Sequence, residues 1–107
     1  MDNAATMRNS RTYMIVLDAA TIGDKYETTA RFITTDGQFH HWWNYLPFTF
    51  MVTTDLDAEA ISEALRPMTG TARFLVVAVN PSESEGRLPR AGWQWIRQHE
   101  QLPDRPG

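Results

Sequence analysis

A chain of 107 residues, 42% apolar and 21% charged, has the size and composition of one globular domain. Its formal charge of −3 gives no electrostatic support to nonspecific nucleic-acid binding, which draws on phosphate neutralisation. The absence of cysteine excludes disulfides and thiolate metal sites, and no apolar run approaches the roughly twenty residues of a membrane helix. The expected location is cytoplasmic.

In chain order, residues 1–10 are small and polar and read as a flexible leader, without the charged-then-apolar layout of a secretion signal. The run Tyr13-Met-Ile-Val-Leu17 has the length and apolar continuity of a strand buried on both faces and ends at Asp18. Residues 19–24 read as a loop, with Asp24 capping a helix over about 25–34. Its apolar stripe is Tyr26, Ala30 and Ile33. Asp36-Gly37 ends that helix.

Residues 39–54 concentrate six aromatic side chains and two adjacent histidines. A strand near 40–44, a turn near 45–48 and a returning strand near 48–54 make a hairpin. Consecutive Trp42 and Trp43 then point to opposite faces, and Phe50 shares a face with Val52. So aromatic a hairpin needs cover from other elements.

Asp57 is a good N-cap for the clearest helix in the chain. Leu56 staples against Ile61, and Ile61, Ala64, Leu65 and Met68 form the buried face. Pro67 is expected to stop the helix near Arg66. A further strand spans 72–79, apolar on both faces from Phe74. The stretch 80–86 is loop chemistry, and Pro89 opens a short helix over 90–98 that docks through Trp93 and Ile96, with Trp95 on another side. Residues 100–107 read as a flexible tail, leaving 11–99 as the single domain.

The order strand, helix, strand, strand, helix, strand, short helix fits an α+β split βαββαβ unit with sheet order 4-1-3-2. Two helices cover one sheet face only. The short C-terminal helix covers part of the other, so a two-fold dimer packing sheet against sheet is expected to cover the rest.

Several motifs coincide: the strand ending in Asp18, Trp-Trp-x-Tyr-Leu at 42–46 and Asp-Leu-x-Ala-Glu at 55–59. The Ile-Ser-Glu-Ala-Leu-Arg-Pro helix, the Arg-Phe-Leu-Val-Val strand and Leu-Pro-x-x-x-Trp-x-Trp at 88–95 complete the set. Over about 13–98 the chain resembles the small bacterial proteins labelled SinR-like. These are similar to a wider ferredoxin-like group with the CRISPR-associated adaptation subunit and the VapD-type ribonucleases. The resemblance implies a ferredoxin-like homodimer with the ends of the two first strands near its axis. For several members it also implies metal-dependent nuclease activity through an Asp at that strand end. Only Asp18 carries over, because Ala-Ala-Thr-Ile-Gly follows it where related chains have an Asp-Leu-Asn type of sequence.

Asp18 is therefore the candidate catalytic and metal-binding residue, with Mg²⁺ or Mn²⁺ as the cofactor if the protein is an endonuclease. Its structural alternative is a cap at a strand end. On one strand His40 and His41 diverge and cannot chelate a metal from one face. Trp42, Trp43, Phe50, Trp93 and Trp95 are read as core or dimer packing; base stacking by the tryptophans would call for a basic groove beside them. Four basic and two acidic residues lie in 86–107, against six and eleven in 1–85, a bias that reads as solvated surface. Three functions remain: a homodimeric binding or assembly module linked to bacterial defence or mobile elements, a metal-dependent nuclease of RNA or DNA, and a protein partner of a toxin.

Overall fold

A computed structural model, which describes residues 10–99, shows an α+β chain. Strand β1 (Arg11–Leu17) is followed by the short helix α1 (Ala19–Ile22), a 3₁₀ turn (Gly23–Lys25) and α2 (Tyr26–Thr35). Strands β2 (Phe39–Leu46) and β3 (Thr49–Thr54) form the hairpin, then come α3 (Ala58–Thr69), β4 (Phe74–Ala78) and α4 (Arg90–Gln98). The four strands make one antiparallel sheet of order β2-β3-β1-β4, the expected neighbours read from the opposite edge. The expected leader and tail lie almost wholly outside the described residues.

The first sheet face is the main core. Tyr13, Ile15 and Leu17 of β1 alternate onto it, joined by Phe50 and Val52 of β3 and Phe39 of β2. Ile33 of α2 and Ile61 and Leu65 of α3 close it, each buried completely. The α2 stripe differs in detail from its expected form: Thr29 and Ile33 are buried, whereas Tyr26 and Ala30 are half-buried. Thr29 tolerates this because its hydroxyl donates to the Lys25 carbonyl at 2.8 Å.

Three local expectations are corrected. Residues 19–22 form a helical turn rather than a loop, because Asp18 caps it: its Oδ1 accepts from the Ala20 N–H at 3.1 Å. Gly23, at φ 47°, ends that turn, and Asp24 falls in the 3₁₀ segment rather than at an N-cap. Helix α3 runs through Pro67 to Thr69. Pro67 lies on the exposed side, where water can satisfy the carbonyl its ring leaves unpaired, while buried Thr69 anchors the last turn. Asp57 caps α3 as expected, accepting from the Ala60 N–H at 2.8 Å.

At the hairpin tip Pro47 precedes Phe48, whose φ is 58°. A proline followed by a positive-φ residue is the pattern of a type II turn, for which glycine is the usual second residue. Phe48 is held there from two sides. Its carbonyl accepts from the Leu17 N–H at 2.8 Å, and its ring meets Tyr26 edge-on at 5.2 Å.

Candidate functional site

The second sheet face is covered in one half only. Trp43, Met51 and Ile96 are buried there, with Met14, Val79, Leu88, Trp93 and Trp95 packed around them, so α4 covers the side toward β2 and β3. Gly92 makes the close approach possible: a Cβ on it would come within 3.3 Å of both Leu88 and Tyr45. Toward β4 no helix among the described residues covers this face. The antiparallel pairs Val16↔Leu75 and Met14↔Val77 place four apolar side chains on that side. Leu75 is 58% exposed and Val77 40%. β4 is thus apolar on both faces as expected, with Phe74 and Val76 packed against the main core.

Asp18 lies at the end of this strip, in an open depression shared with Val16, Arg73, Phe74 and Leu75. Pairing of Leu17 with Phe74 brings Asp18 beside Arg73, and the Asp18 N–H donates to the Arg73 carbonyl at 3.0 Å. Its Oδ2 accepts from the Thr21 hydroxyl at 2.9 Å and from Arg73 Nε at 3.0 Å. The Arg73 N–H in turn donates to the Thr21 hydroxyl oxygen at 3.0 Å. The Thr21 hydroxyl, the Ala20 N–H and the Arg73 guanidinium together hold the Asp18 carboxyl below its ordinary range, against a smaller opposing effect of desolvation.

A carboxylate at a buried strand end is expected to resist ionisation; here the capping bonds reverse that. The donor set also fits a divalent ion poorly in the single chain. Both oxygens are engaged, a guanidinium stands at one of them, and among the described residues no three His, Asp or Glu side chains converge.

The sequence-derived packing residues separate. Trp43 and Phe50 are buried, and Trp93 and Trp95 of α4 pack against the Trp43, Met51 and Ile96 cluster. Trp42 is 43% exposed and belongs to neither core: it pairs with Val52 on the first face, but β2 is the edge strand and leaves it at the rim of that face. The buried Trp43 Nε1 has no hydrogen-bond partner among the described residues.

A third cluster joins α4 to β2. The His41 and His99 rings lie 4.8 Å apart, and His99 stacks on Trp95 at 4.0 Å. Trp95 meets Trp43 edge-on at 6.4 Å. His40, on the next position of β2, turns away toward Asp55 at 3.5 Å. Burial, with His99 and then His40 nearby, pushes the His41 imidazole below its ordinary value.

Arg73, Thr21, Leu75, Val77 and His99 were not singled out by the sequence. A signal for Arg73 existed: β4 beside β1 in antiparallel register must set the residue before Phe74 against the one after Leu17. No protein-family model, curated protein or solved structure matches the chain.

Proposed function

We propose that the protein is a ferredoxin-like homodimeric binding or assembly module whose two copies meet through the β1–β4 half of the second sheet face. One observation carries this reading: Leu75 and Val77 stand exposed beside Val16 on the half-face that α4 leaves open, with Met14 at its boundary to the covered half. Full burial of a Leu or Val side chain is worth about 1.5–3 kcal/mol. A strip of this kind suits an isologous contact, since the same apolar patch serves both copies. A specific interface takes roughly 800 Å² from each partner, so the rim around Asp18 and Arg73 would be included. The setting in bacterial defence or mobile elements, and a cytoplasmic location, rest on the SinR-like resemblance and on composition.

Light scattering at micromolar concentration tests the dimer. The expected mass is twice the 12.3 kDa of the chain, and Leu75→Glu should give the single-chain mass with an unchanged circular dichroism spectrum. A wild type that stays at the single-chain mass would overturn the reading.

The nuclease is the competing reading, favoured by the position of Asp18 in an accessible depression beside the strip. It predicts RNA or DNA cleavage with Mg²⁺ or Mn²⁺ that disappears in Asp18→Asn. The binding module predicts no cleavage. A toxin-binding partner would instead be recovered as a hetero-complex that Leu75→Glu disrupts.

A further inference from the structure

We propose that the seam between α4 and β2 is a pH-controlled latch, in which protonation of His41 and His99 releases α4 from the sheet. The two imidazoles come from different elements and lie in ring contact at 4.8 Å, so charging both sets like charges against each other across the seam. Among the described residues no carboxylate pairs with either ring. His99 Nδ1 donates to the Trp95 carbonyl at 2.7 Å, since a carbonyl oxygen can only accept. That fixes the neutral tautomer, and the next proton must go to Nε2.

Among the described residues the other groups around the seam do not offset the charge. His40 precedes His41 on β2 and turns away from the seam, toward Asp55 beyond β3 at 3.5 Å. Thr53, across β3 from His41, is uncharged. From α4 itself the last turn adds Arg97, and Trp95 and Trp43 carry no charge.

What α4 loses on release is limited. Ile96 and Gly92 are its buried residues, with Trp93 and Trp95 half-covered. At nine residues α4 is shorter than the roughly 12–15 needed for even a marginal helix in water, so undocking and unfolding coincide. The sign follows from His41. Its value in the fold lies below that of the unfolded chain, so docking is fully stable above the ordinary histidine value and weakens as pH falls through and below it. The latch does not depend on the dimer proposed above. Its opening would uncover Trp43 and Met51, enlarging the open half-face.

Hydrogen exchange on the full chain is the test, comparing amides 91–98 with those of β1 and β3 at about pH 7.5 and about pH 5. The ratio of α4 protection to core protection should fall severalfold on acidification. His41→Gln and His99→Gln should each flatten that response. In the wild type, the fall should track the ring titrations of His41 and His99 followed by NMR. An unchanged ratio in the wild type would overturn the latch, as would a fall that does not follow those titrations or that persists in both variants.

Discussion

The two faces of the sheet use the same alternation of side chains and end in different states. On the first, β1, β2 and β3 send Tyr13, Ile15, Leu17, Phe39, Phe50 and Val52 inward, and α2 and α3 seal them. On the second, α4 reaches only the half around Trp43 and Met51, leaving Leu75 and Val77 in solvent. Apolar patterning thus determines which positions can be buried. It does not determine whether the same chain supplies the cover. The first face holds the larger core, and the second is where the proposed assembly and local opening would act.

Four substitutions would break or sharpen that contrast. The largest effect is expected from Phe50→Ala on the closed face, which should cost about 3–5 kcal/mol in denaturant unfolding because the ring is fully buried. A loss under roughly 1 kcal/mol would remove the closed face as the stability-determining one. Ile96→Ala on the second face should cost less, about 2 kcal/mol, the low end for such a truncation, because Ile96 sits in the smaller of the two cores. Its signature is selective exchange of α4 amides; cooperative loss of the whole sheet would show the two faces to be one unit.

Asp57→Ala tests the local device that places α3 on the closed face. Loss of the cap at Ala60 should cost about 1 kcal/mol, read as a lower unfolding midpoint, with Asp57→Asn nearly neutral. Equal losses in both variants would mean that charge rather than capping geometry is at work.

The smallest effect is expected at Asp18, on the rim of the open half-face, where Asp18→Asn should lower stability. The folded carboxyl ionises more readily than in the unfolded chain, so its contribution is present above pH 3.8 and is lost as pH falls through its lower folded value. Wild type and variant should converge in stability at strongly acidic pH. A variant more stable than wild type at neutral pH would mean that the carboxylate is held against repulsion, the condition in which a divalent ion would be useful.

Much of the closed face was legible. The Asp57 cap, the Ile61 and Leu65 spacing and the Phe50/Val52 alternation are local signals, each within one turn or one strand. Less of the open face could be read. Trp42 and Trp43 are neighbours of the same type, and period two says only that they diverge. That Trp43 is the buried one follows from where α4 docks. Asp18 was recognisable as a strand-end carboxylate; the Thr21 and Ala20 bonds that mainly hold its carboxyl low are local, and only its pairing with Arg73, 55 positions away, depends on the register of β4. Pro67 shows the converse: a strong local stop signal yields when buried Thr69 anchors the turn beyond it, whereas Met68, expected on the buried face, is only half-buried.

By itself, then, the sequence determined the number and type of the main elements, the closed core and the surplus of apolar surface, because propensity, capping and periodicity act over a few residues. Tertiary structure decided the pairing of Asp18 with Arg73, the burial of Trp43, the meeting of His41 with His99 and which half of the second face stays open. Those outcomes depend on distances between side chains remote in the chain, which sheet register and helix docking set together.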